Sequence, residues 1–230
     1  MRLKPSESRN EYMAPFFFEA FSVFMNADDS IGIMQEMLKQ YEEVWDAKKS
    51  QRTSDIEDYI KKHGISHTPH DFENSRAEAL RSRAYFSVFI GTYSIVESYL
   101  LKICKLIESE FPFKIKLKDL GSRKYLDQYK TYLTKVYGLE NQVFEKYYPQ
   151  IGKYAILRNT LLHEDGETLD KDLKKKLNGI KGIKFDESTN ALIVNISDDT
   201  FFTSFFDTVE DFIIEISELI DLKYLDLRGE

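Results

Sequence analysis

The chain has 230 residues but only one cysteine, one tryptophan, four histidines and five prolines. A lone thiol closes no disulfide within the chain, and Cys104 sits among Leu101, Ile103 and Ile107, which predicts a buried core position. Long apolar runs are missing too. The stretch from Met13 to Met25 is broken by Pro15 and Glu19 and lacks the basic leader and small-residue cleavage site of a secretory signal. The expectation is a cytoplasmic protein with no membrane partner. A basic excess is also absent: the net charge of -7 argues against a surface drawn to nucleic acid as a whole, yet leaves room for a local basic patch. No phosphate-binding loop, dinucleotide fingerprint, zinc-protease helix or paired-cysteine site occurs. Nucleotide hydrolysis, redox chemistry and zinc proteolysis are therefore without support, and no cofactor is expected. A nucleophile elbow is lacking as well.

What is present is a globular composition, 42% hydrophobic and 31% charged, on a chain long enough to bury a sizeable core. Helical periodicity dominates. Glu11 to Asn26 reads as a first helix crowded with phenylalanines. Asp28, Asp29 and Ser30 then read as the start of a second, from Ile31 to about Lys49, and Ser54 as the cap of a third over Asp55 to Lys62 that stops at Gly64. Residues 63–72 read as a loop. His63, His67 and His70, with Asp71, are taken there as polar loop residues rather than metal ligands, so no metal site is assigned.

From about Phe72 to Phe111 the chain has no proline and only Gly91 as a weak point. Two apolar stripes make this a central, buried helix, which Pro112 ends. Glu97 lies on the second stripe, where an unpaired carboxylate is costly, so it must find a cation or a hydrogen-bond donor. Residues 113–137 are locally basic, with tyrosines interleaved. A helix is expected over Arg123 to Val136, ending near Gly138, and a short one over Glu140 to Tyr148. Arg123, Lys124, Lys130 and Tyr129 are candidate RNA-binding residues, because lysines track a phosphate backbone and aromatic rings stack on bases. The Lys174-Lys175-Lys176 run reads as a solvated face.

Pro149 is expected to open the next helix, a favoured position for proline. That helix carries Arg158-Asn159-Thr160-Leu161-Leu162-His163 and is ended by Gly166. Asn159 and His163 are four residues apart and share a face, with the small Gly152 and Ala155 on it. A short charged helix over Leu169 to Leu177, a hairpin of Gly182 to Asp186 with Ala191 to Ile196, and a long helix from Asp199 to about Leu222 complete the chain. The expected fold class is mostly all-α: an up-and-down helical bundle over 72–230 with one small β-hairpin near 182–196, preceded by an N-terminal helical extension over 1–71.

Arg158, four intervening residues and His163, with Asn159 directly after the arginine and Glu97 on a long upstream helix, resemble the HEPN superfamily over roughly residues 75–222. That signature is an arginine, four to six residues and a histidine, often with a polar residue after the arginine. The resemblance implies a HEPN-like bundle and a metal-independent endoribonuclease of toxin–antitoxin or phage-defence type. It also implies a homodimer in which two Arg/His pairs face each other across a cleft, with an antitoxin or other protein partner in some systems. On that basis Arg158, Asn159, His163 and Glu97 are the candidate catalytic set, Glu97 as the group that holds Arg158 or His163. The chemistry is consistent: histidine acts as acid or base near neutral pH, and arginine grips phosphate while staying charged. Two other classes stand beside this one. One is a non-catalytic HEPN module that binds RNA, nucleotide or a protein partner. The other is a structural bundle whose motif is fortuitous.

Overall fold

A computed structural model describes residues 15–64, 70–121, 124–163, 167–168, 170, 172–186, 192–196 and 199–229. The fold is mostly helical, as expected. The elements in order are α1 (Pro15–His63), α2 (His70–Glu110), a 3₁₀ turn (Leu117–Asp119), α3 (Tyr125–Thr131) running into a π-helical turn (Tyr132–Tyr137), and α4 (Gln142–His163). Then come β1 (Glu167–Thr168), α5 (Leu173–Lys176), β2 (Ile183–Asp186), β3 (Leu192–Ile196) and α6 (Asp199–Arg228).

Two helices, α1 and α4, each merge segments that the sequence reads as separate, and α6 runs six residues past its expected end near Leu222. The three helices expected before residue 65 are one, α1. Of the residues read as caps, Ser30 turns back onto its own helix, its hydroxyl donating to the Asn26 carbonyl at 2.6 Å. Ser54 lies inside α1, where its neighbour Thr53 makes the same kind of bond to the Lys49 carbonyl at 3.0 Å. Ser and Thr favour caps, but inside a helix their hydroxyls can make this i to i−4 bond instead. Gly64 is the real stop. At a φ of 65° its N–H bonds the Ile60 carbonyl at 2.8 Å, a left-handed turn that suits a residue without a Cβ. Likewise Pro149 does not open a helix but lies inside α4. Buried Val143, Phe144, Tyr147 and Ile151 run past it at helical spacing, so packing of that stripe outweighs the backbone bond proline removes.

The chain divides into two compact units. The first comprises 1–30, 94–151 and 207–230; the second comprises 31–93 and 152–206. Within α1, residues 15–30 belong to the first and 31–63 to the second. In the first unit Phe16 stacks on Tyr224 with centroids 4.3 Å apart, and Phe144 meets Phe212 edge-on at 6.1 Å. Buried tyrosines reach carbonyls of α6: Tyr99 donates to Ile213 and Tyr137 to Ile220. Cys104 is a free, buried thiol, and burial pushes its pKa up, as its apolar neighbours foretold. Gly138, at a φ of 85°, ends the π-helical turn.

In the second unit Phe89, Phe201, Phe205 and Tyr154 form an aromatic cluster. The α1–α2 seam is polar at one point. Arg81 pairs with Glu42 at 3.1 Å and donates to the Tyr85 hydroxyl, which itself donates to Glu42, while the guanidinium lies 5.8 Å from the Trp45 ring. Gly91, the weak point of α2, lies where α1 comes close: a Cβ there would stand 3.0 Å from the Met34 methyl. The hairpin is present and gains a third strand, in the antiparallel order β1-β3-β2. Ile183 pairs with Ile196 and Phe185 with Val194, so these apolar residues share one face. Ala79–Glu110 is long and apolar enough to cross a membrane by length and composition; half of that window is buried, as in a core helix.

Burial gives the fold a pH limit. Desolvation raises the pKa of Tyr85, Tyr99, Tyr137 and Tyr148 above the ordinary phenol value. With the folded pKa above the unfolded one, their contribution to stability is complete below about pH 10 and is lost as the unfolded phenols ionise. The urea midpoint is therefore expected to fall between about pH 8 and about pH 10.5. An unchanged midpoint would contradict the burial of these phenols.

Candidate functional site

The Arg158 to His163 stretch closes α4, and its inner side is fixed by packing. Tyr154, Leu157 and Leu161 are buried, with the Tyr154 ring 4.9 Å from Phe205. Arg158 lies four residues after Tyr154 and three before Leu161, on the edge of that apolar face. Its stem is therefore half-covered: the guanidinium Nε is inaccessible and has no hydrogen-bond partner among the described residues. Its Nη1 donates to Asn159 Oδ1 at 3.0 Å. Asn159 is exposed, and because its oxygen is taken by Arg158, its Nδ2 group is the donor left to that side chain. His163 is the last residue of α4, in i, i+4 register with Asn159; Gly166, expected to end the helix, lies outside the described residues. Thr160 is spent locally, its hydroxyl on the Ile156 carbonyl at 3.1 Å.

Arg158 and Asn159 are thus joined by a hydrogen bond, on the helix that carries His163. Glu97 is half-buried on α2 and belongs to the first unit, whereas the Arg-Asn pair belongs to the second. Within its own unit Glu97 acts on Tyr129, whose phenol pKa is raised chiefly by burial and further by that carboxylate.

Compared with known protein families, curated proteins and solved structures, the chain matches none. The site therefore stands on its own residues.

The small-residue face expected beside Asn159 is open. A Cβ built on Gly152 meets no atom within 4 Å. Gly152→Ala is accordingly expected to stabilise the monomer by about 0.5–1 kcal/mol, through helix propensity alone. A destabilised monomer in a urea titration would show that the face is covered.

The RNA-binding candidates separate. Lys124 is exposed, and Arg123 lies outside the described residues. Lys130 is half-buried, its ammonium 4.7 Å from the Tyr148 ring centroid. Tyr129 is only 5% exposed and so offers no face to a base; Tyr125, stacked on it at 6.5 Å, is 69% exposed. The sequence carried the signal for this difference. Leu126, Tyr129 and Leu133 recur at i, i+3 and i+7, which places Tyr129 on the buried stripe of α3.

Of the histidines near residue 65, His63 is exposed, stacks on Tyr59 and bonds the Tyr59 carbonyl through Nδ1 at 3.1 Å. His67 lies outside the described residues, and His70 starts α2. Among the described residues no three or more metal-ligating side chains cluster.

Proposed function

We propose that the chain is a metal-independent endoribonuclease of HEPN type, acting in the cytoplasm as a homodimer and serving as a toxin or phage-defence effector. The observation that carries this reading is the Arg158 guanidinium held by Asn159 on α4, five residues before His163. A fortuitous motif on a structural bundle predicts a fully solvated arginine, whereas Arg158 is half-buried with an orphaned Nε. Such a cation is pre-positioned, and in a partly dry setting it binds phosphate more strongly than a solvated one.

The reaction needs no metal. The ribose 2′-oxygen attacks the adjacent phosphorus, its proton passes to a base, the 2′-O–P bond forms and the P–O5′ bond breaks, and the departing 5′-oxygen takes a proton from an acid. His163 supplies one of these proton transfers, Arg158 stabilises the charge gathering on the non-bridging oxygens, and Asn159 orients Arg158. Pairing two α4 ends across the open Gly152 face would set two such groups around one phosphodiester.

The test combines size and chemistry. Light scattering is expected to give a dimer. Incubation with RNA in excess chelator is expected to give fragments ending in 2′,3′-cyclic phosphate and 5′-hydroxyl. A protein that binds RNA without cutting it is instead the non-catalytic module.

A further inference from the structure

We propose that Tyr125 and the lysines beside it form a stacking platform for single-stranded nucleic acid, in which one base lies on the outer face of the Tyr125 ring. Among the described residues, Tyr125 is the most open aromatic ring of its unit, and a second ring flanks it. Tyr125 is 69% exposed, and the Tyr129 ring flanks it, with centroids 6.5 Å and planes 19° apart. Holding the ring in place lowers the entropy lost when a base stacks on it.

The surroundings have the sign a phosphate backbone requires. Lys124 directly precedes Tyr125 and is exposed, as is Lys118. The turn bearing Lys118 is tied to α3 by Gln128, whose Nε2 donates to the Leu117 carbonyl at 2.7 Å and the Leu120 carbonyl at 2.9 Å. Residues 113–130 carry five lysines against two aspartates, so the segment is cationic with both carboxylates charged. Asp119 accepts the Lys116 backbone N–H at 2.9 Å, and Asp127 accepts the Tyr148 hydroxyl. A net-acidic protein thus presents a cationic surface around an exposed ring. That pairing of charge with an open π-face fits a single strand better than a duplex, whose bases are not available for stacking.

The proposal rests on the ribonuclease reading only in choosing nucleic acid among polyanions, and its test does not use cleavage. The probe is a fluorescent single-stranded DNA of about 12 nucleotides, which has no 2′-hydroxyl to attack, with the full chain as titrant. Tyr125→Ala is expected to weaken binding by about 5- to 100-fold, the loss of one stacked base, and Tyr125→Phe to retain it. Lys118→Ala is expected to flatten the salt dependence by roughly 0.7 in the log–log slope, one phosphate contact. Unchanged thermal melting of Tyr125→Ala would confirm that an exposed side chain was removed without harm to the fold. No binding by the wild type, or Tyr125→Ala binding as well as wild type, overturns the platform even if RNA is cut. Binding intact and sensitive to Tyr125, with no RNA cleavage, sustains the platform and removes the ribonuclease reading alone.

Discussion

His163→Ala and Arg158→Ala are each expected to reduce RNA cleavage at least about 100-fold while leaving the fold and the oligomeric state in place. The magnitude follows from the roles. A general acid or base typically contributes about 10²–10⁴-fold, and a charge-stabilising donor at a phosphorane contributes a similar factor. The fold survives for different reasons at the two positions. His163 ends α4, whose anchoring comes from Tyr154, Leu157 and Leu161. Arg158 contributes its stem to the edge of that packing, so Arg158→Ala also carries a modest loss of stability, and Arg158→Lys separates the two effects. Lysine keeps the charge and much of the stem but not the planar fork, so it should restore stability before it restores rate. Cleavage by either alanine variant at the wild-type rate removes Arg158 and His163 from the chemistry.

Phe205→Ala is expected to cost about 3–5 kcal/mol of unfolding free energy, the largest effect of any single truncation considered. Phe205 is fully buried and central to the aromatic cluster of its unit. Its ring lies 4.9 Å from Phe89 and 4.9 Å from Tyr154, both edge-on, and 5.8 Å from Phe201. Truncation removes the apolar burial and leaves a cavity among rigid rings that cannot collapse to fill it. Edge-to-face pairs add a further fraction of a kcal/mol to about 1.5 kcal/mol each beyond the buried area. Because Tyr154 is one turn before Arg158, the same substitution should loosen the site and reduce cleavage more than the folded fraction alone explains. A urea titration measures the first effect. A loss under about 1 kcal/mol would show that the cluster is loosely packed.

The helices were legible because long apolar periodicity is a strong signal and because Gly64, Pro112 and Gly138 mark real ends. The errors share one cause: local chemistry with two solutions. Ser30 has a hydroxyl that either caps a new helix or bonds back into the old one, and only the packing around it selects the second; Ser54, read as a cap, lies inside the same helix. Pro149 is favoured in a first turn, yet α4 continues through it because the stripe from Val143 to Ile151 is buried. At the candidate site, the i, i+4 spacing of Asn159 and His163 was readable, and so was the nearness of Arg158 to Asn159. The direction of the Arg158 stem was not, since it depends on Tyr154 and Leu161 being covered by residues distant in sequence. Glu97 was rightly expected to need a partner, but the division of the chain into two units, with Glu97 in the first and Arg158 in the second, has no local sequence signal. In the basic segment, composition alone does not separate the buried Tyr129, chosen as an RNA-binding residue, from the exposed Tyr125; the spacing of Leu126 and Leu133, which that choice did not use, does.

One substrate comparison reaches the central claim, that a ribose hydroxyl is the nucleophile and that protein groups alone activate it. The same end-labelled RNA is offered in chelator as unmodified ribose and as the fully 2′-O-methylated form. The account predicts cutting of the first and complete survival of the second. Equal cutting of both, or cutting that stops when divalent ions are withdrawn, would contradict it.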